Sequence, residues 1–257
     1  MRLTRSEALL LLACLALAAL ALFGPAVAQP REAHAFADQR ALAGLPHALD
    51  VLSNLPFALA GWWGLRLLRE GSTGELHATQ RTCARLFFIG LLVVAAGSSW
   101  YHLAPDDAGL AIDRISMCVA FAGLLGLVAA GRVSDRAGIA LVDALMVLGP
   151  ASVLFCLRTG NVLPWAVVQF GGFLLVLLVL ACGTERLATW PVRWGLVLLA
   201  YAVAKLAEAN DAAILHASGE LFSGHTLKHL VAASAAWPLA AMLARRQNGR
   251  HIAAGAA

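Results

Sequence analysis

Along the chain, apolar stretches alternate with short polar joints. The first apolar run covers Ala8 to Phe23. Seven more follow, at about 47–68, 81–103, 109–130, 137–157, 162–182, 192–216 and 222–243. Each approaches the length of about 20 residues that a helix needs to cross a bilayer. A crossing segment must satisfy its own backbone, as a helix or within a closed barrel. Alternating ten-residue strands are absent, so the pattern predicts helices. The expectation is an all-α integral membrane protein, a seven-transmembrane helix bundle over residues 29–251, preceded by an extra hydrophobic segment over residues 1–28. That segment has Arg2 and Arg5 ahead of the run and Ala26-Val27-Ala28 after it. This is the layout of a secretory signal peptide; the run is equally close to an eighth helix. Either way, the residues after Ala28 are expected outside the cytoplasm.

Composition agrees with a membrane setting. Of 257 residues, 60% are hydrophobic and 13% charged, against about 25% charged in soluble domains. The net charge of +4 is no mark of nucleic-acid binding, because the basic residues sit in short joints. Their placement predicts orientation, since Lys and Arg favour the cytoplasmic side. Arg66, Arg69 and Arg81, then Arg132 and Arg136, then Arg186 and Arg193, and finally Arg245, Arg246 and Arg250 mark alternate joints. The intervening joints carry Asp106 and Asp107, Arg158 alone, and Glu220. Seven core helices with a cytoplasmic C-terminus fit this alternation. The five cysteines, Cys14, Cys83, Cys118, Cys156 and Cys182, form no CxxC pair and read as small core residues. The tryptophans lie mostly near run ends, as interface anchors do.

Polar groups inside a membrane are costly, so each invites a functional reading. Ser98 and His102 are four apart on the second core run and share a helix face. His225 and His229 have the same spacing on the seventh, where both can reach one metal ion. The topology places His102, Asp113, His225 and His229 at similar depth near one membrane face, expected to be periplasmic. Three neutral histidines and an open fourth position suit a catalytic zinc ion. Asp113 would act as general base, or orient a histidine ligand from behind. Ser98 would hydrogen-bond the water or an oxyanion. Other polar residues read more plainly. Lys205 and Glu208, three apart, are expected to pair. Lys228 is expected to point away from the histidine face. Asp106-Asp107 reads as a capping turn, and the role of Asp211 is left open.

These residues resemble the alkaline ceramidases and their wider superfamily, which includes adiponectin receptors and GPI-remodelling phospholipases. The likeness lies in Ser98-Ser-Trp-Tyr-His102, in Asp113 eleven residues on, and in His225-Thr-Leu-Lys-His229. Asp50-Val-Leu-Ser53-Asn54 also resembles the start of the first core helix in the ceramidases. The likeness spans residues 36 to 245. It implies one zinc ion held by His102, His225 and His229, with Ser98 and Asp113 beside the metal water, and amide hydrolysis of a ceramide-like lipid substrate to a fatty acid and a sphingoid base. The eukaryotic members carry an acidic Asp-Trp-x-Glu-x-Asn segment and a further Glu that bind calcium. This chain has Phe36-Ala-Asp38-Gln-Arg there and His47 in place of the Glu, so calcium is not expected, and Asp38 is expected to pair with Arg40 or cap a helix. Short joints and an Ala-, Leu- and Arg-rich composition point to a bacterial inner membrane. The alternatives are a lipid-sensing, receptor-like protein with structural zinc, a phospholipase of the same superfamily, and a haem or electron-carrying protein using the histidine pairs.

Overall fold

The computed structural model describes residues 2–30, 32–70, 77–183 and 191–254, with side chains described except at residue 70 and residues 246–254. Arg186 and Trp190, and the side chains of Arg246 and Arg250, lie outside the described residues. All regular elements among the described residues are helical. Among the described residues, six helical stretches are long and apolar enough to cross a membrane, so the chain has the make-up of an all-α membrane protein.

The expected runs map onto helices with two kinds of adjustment. The N-terminal run is α1 (Arg5–Phe23), opened by a capping box in which Thr4 and Glu7 exchange backbone and side-chain hydrogen bonds. The second to fourth core runs are continuous: α4 (Ala78–Leu103), α5 (Asp107–Arg132) and α6 (Asp135–Thr159). The fifth consists of α7 (Leu163–Ala166), a π-helical turn (Val167–Gly171) and α8 (Gly172–Cys182). The first, sixth and seventh are broken. The first divides into α2 (Ala48–Leu52) and α3 (Leu55–Glu70), because Ser53 and Asn54 turn their side chains back onto the Asp50 carbonyl. The sixth divides at Asn210 into α9 (Trp194–Ala209) and α10 (Asp211–Ala217), with Asn210 Nδ2 donating to Leu206 O at 2.7 Å. The seventh divides into α11 (Gly224–Ser234) and α12 (Trp237–Ala254), where Pro238 lacks the N–H that would continue the ladder.

The chain separates into two compact units. Unit one comprises residues 1–31, 75–90 and 114–189. In it, buried Glu7 of α1 pairs with Arg136 at 2.6 Å and accepts from Ser134 Oγ at 2.6 Å. The residues after α1 are tied to the α6–α7 joint: Val27 N–H donates to Asn161 Oδ1 and Gln29 N–H to Gly160 O, both at 3.0 Å. Gly123 of α5 lies so close to Phe87 that a Cβ would overlap the Phe87 backbone nitrogen. Close approach through small residues is how helices associate in lipid. Trp165, expected at an interface, is buried instead, with the Arg114 guanidinium over its ring at 5.8 Å.

Unit two comprises residues 32–74, 91–113 and 190–257. It holds α2, α3, the C-terminal half of α4, the first turns of α5, and α9 to α12. Trp194 is buried here, a second departure from the interface reading. Gly224, at the start of α11, meets the Ala207 carbonyl of α9 where no side chain fits. All residues of the expected site fall within this unit.

Candidate metal centre

Three features of the sequence place the histidines. α11 begins at Gly224, with Ser223 as its cap accepting from Thr226 N–H at 3.0 Å. The next residue, His225, and His229 one turn later therefore project from one face. Asp211 Oδ1 accepts the His225 N–H at 2.7 Å and pins this first turn to α10. His102 lies one residue before the end of α4. Its side chain meets the other two, and all three residues are buried.

The ligand atoms of His102, His225 and His229 all lie within 4.8 Å of one another. The two Nε2 atoms of His102 and His225 are 3.2 Å apart. Zinc–nitrogen bonds of about 2.0–2.1 Å in a tetrahedron put neighbouring nitrogens about 3.3 Å apart. One pair thus already has the separation a metal ion asks for, and the donor set fits a borderline-soft divalent cation. These three residues form a buried group able to hold a metal ion.

The surroundings select which nitrogen two of the histidines offer. Ser53 has a single O–H, which donates to the Asp50 carbonyl at 3.0 Å. At 2.7 Å from His229 Nδ1 the same oxygen must accept, so Nδ1 carries the proton and Nε2 is left for a metal. This is the outer support typical of histidine ligands. His225 Nε2 faces the Lys228 ammonium at 2.9 Å. A lysine only donates, so that nitrogen is unprotonated, and a metal would take its lone pair in place of the Lys228 hydrogen bond. His102 lacks such support, for its buried Nδ1 has no partner among the described residues.

Phe36 closes the group. Its ring lies edge-on at 4.6 Å from both His102 and His225. The Phe36 segment is held by the same carboxylate that holds α11, because Ala37 N–H donates to Asp211 Oδ2 at 2.9 Å. Asp211, whose role the sequence left open, therefore clamps the cover and a ligand helix together. Asp50 is fully buried, with Oδ1 accepting from Thr226 Oγ1 at 2.7 Å and Oδ2 without a partner among the described residues. Phe36, Ser53, Asp50 and Asp211 were not named as site residues from the sequence, although their placement in or beside apolar runs was a signal available there.

Ser98 is buried one turn before His102 on α4. Among the described residues no hydrogen bond joins it to the histidines. Asp113 is half-buried in the second turn of α5 and lies outside the three-histidine group. Lys205 and Glu208 pair as expected. Asp106 caps α5 through a 2.6 Å bond from Gly109 N–H. The expectation for Lys228 is overturned. Its ammonium turns toward the histidine group, 2.9 Å from His225 Nε2 and 3.1 Å from Glu208 Oε1. Residues three apart share a helix face, and helical side chains lean toward the N-terminus, which carries the long Lys228 stem back to His225.

Outside the membrane runs, both carboxylate oxygens of Asp38 are taken by Arg40, at 2.8 Å from Nε and 2.6 Å from Nη2. The Arg40 guanidinium holds the Asp38 carboxyl below its ordinary range, its hydrogen bond outweighing the opposing effect of burial. Arg40 also donates to the Glu220 and Leu221 carbonyls. The expected structural pairing of Asp38 is present. The sequence matches no protein-family model, and comparison with curated proteins and with solved structures returns no match.

Proposed function

We propose that the chain is a zinc-dependent lipid amidase of a bacterial inner membrane, hydrolysing ceramide-like N-acyl sphingoid lipids to a fatty acid and a sphingoid base. The observation that carries this reading is the buried three-histidine group, with two of its nitrogens at tetrahedral separation and two of its side chains presenting Nε2 lone pairs. Its residues also have the order and spacing that resemble the alkaline ceramidases.

Zinc held by His102, His225 and His229 would supply Lewis acidity, lowering the pKa of water and polarising the amide carbonyl. The chain's own groups do the rest. Asp113 takes a proton as water oxygen bonds to the carbonyl carbon. The carbonyl π electrons move to oxygen, where the Ser98 hydroxyl donates a hydrogen bond. The electron pair then returns, the C–N bond breaks, and Asp113 gives its proton to the leaving amine. The charge pattern of the joints supports a periplasmic-side site and a cytoplasmic C-terminus.

One observation favours a second reading, a lipid-sensing protein with structural metal: Phe36 packs directly over two of the histidines. The deciding experiment combines elemental analysis of the purified protein with turnover of N-acyl sphingoid lipids. One zinc per chain with release of fatty acid supports the amidase. Stoichiometric zinc without turnover on any such amide favours the structural reading. Absence of a stoichiometric metal overturns both.

A further inference from the structure

Charged side chains within apolar helices are expensive and need partners or a task. α9 and α11 carry three of them in contact: Lys205 and Lys228 each take one oxygen of Glu208. Pairing alone would be met by ammonium groups facing Glu208. Lys228 does more. Its Nζ also stands 2.9 Å from His225 Nε2, the atom this site offers to a metal. An ammonium has three donors; Glu208 takes one and His225 Nε2 accepts a second, which a metal on that nitrogen would release, so the remaining donors sit at the edge of the histidine group. The Lys228 side chain retains 18% exposure and Glu208 retains 32%, so the group is both inward-facing and reachable.

We propose that Lys228 is the anion-binding residue of this site, held in place by Glu208. It rests on the amidase reading for its identity: the anions are the oxyanion formed on the acyl carbon and the carboxylate of the released fatty acid. Both arise at the acyl carbon, beside the metal-binding nitrogens. A fixed ammonium there stabilises charge as it develops and retains an acid product over a neutral one. Lys228 is thus a further catalytic residue, and Glu208 a positioning residue that acts through it.

The test measures binding without turnover. Hexadecanoate and hexadecanol are titrated into the protein as purified, with its metal content measured, and the ratio of their affinities is taken. The alcohol reports the tail and the acid adds the charge. The native protein should favour the acid. Lys228→Met should reduce that preference roughly 10- to 100-fold, the weight of a charge-assisted hydrogen bond. Metal content and hexadecanol affinity should be unchanged. Lys228→Arg should restore most of the preference, and Lys228→Gln serves should the Met variant not fold. Native protein with no preference for the acid, or a Met or Gln variant with full preference, overturns the proposal. A Lys228-dependent preference in a protein that hydrolyses no N-acyl sphingoid lipid would leave the anion site standing and remove the amidase reading instead.

Discussion

Both units use close helix contacts, at Gly123 in unit one and Gly224 in unit two, but unit two buries far more polar side chains. In unit one, α1 and α6 run unbroken for 19 and 25 residues. Its described buried polar residues are Glu7, Gln80, Ser116 and Ser152. In unit two, α3, α9 and α11 stop after 16, 16 and 11 residues. It buries Asp38, Asp50, Ser53, Asn54, Ser98, Ser223, Thr226 and the three histidines. Irregular backbone at membrane depth is tolerated where protein, rather than lipid, surrounds it. The breaks at Ser53–Asn54 and Asn210 each lie beside a group that serves the site. Ser53 bonds His229, and Asp211 follows Asn210 and holds His225. Unit two gives up helical regularity where it gains a polar scaffold.

The largest effect should come from the centre itself. His102→Ala, His225→Ala or His229→Ala should each abolish stoichiometric zinc and turnover, while thermal unfolding in detergent stays cooperative. Asp113→Asn should retain zinc and lose turnover, because an amide accepts no proton from the attacking water. Full zinc in all three histidine variants would remove the metal centre from unit two and erase the contrast between the units.

Much of this was legible before the structure. Apolar run length fixes where helices lie, and the i, i+4 spacing of His225 and His229 survives any choice of helix boundary. The meeting of His102 with that pair followed from counting crossings. The helix breaks were not legible, since a run of apolar residues hides a Ser-Asn pair that turns back on its own backbone. What depends on those breaks was hidden with them: Ser53 against His229, Asp50 against Thr226, and the double grip of Asp211. Lys228 was misread for a different reason. Spacing alone ignores the N-terminal lean of a long side chain.

A second, smaller effect should appear in unit one. Gly123→Leu forces a side chain into the Phe87 backbone. Overpacking of this kind costs about 1–3 kcal/mol, and more where backbone must shift. The melting temperature should fall, yet the protein that remains folded should bind zinc with the same affinity as the native protein. Loss of zinc affinity in proportion to stability would show that the metal group depends on unit one as well.

Smaller again is the removal of a support inside unit two. Ser53→Ala removes the hydroxyl that accepts from His229 Nδ1. Metal affinity should drop about 10- to 100-fold with little change in melting temperature, the usual weight of an outer-layer partner. Competition with a graded series of chelators measures it. Unchanged affinity would mean that packing against Phe57, whose ring lies 6.3 Å away, orients His229 without help.

The smallest effect concerns Asp38, a buried polar residue of unit two outside the histidine group. The Arg40 contacts occupy both carboxylate oxygens and hold the carboxyl below its ordinary range. A lowered carboxyl stabilises the fold above its unfolded value of 3.8 and loses that contribution as pH falls through the folded value. Native protein should therefore melt a little higher than Asp38→Asn near neutral pH, and the two curves should converge as the medium is made strongly acidic. Calcium takes six to eight oxygen ligands, and a carboxylate already spent on a guanidinium is a poor contributor. Activity should accordingly be indifferent to a chelator that takes calcium and spares zinc. A collapse of activity that added calcium restores would show Asp38 leaving Arg40 for an ion, and the melting curves of the Asp38→Asn variant would then respond to calcium less than those of the native protein.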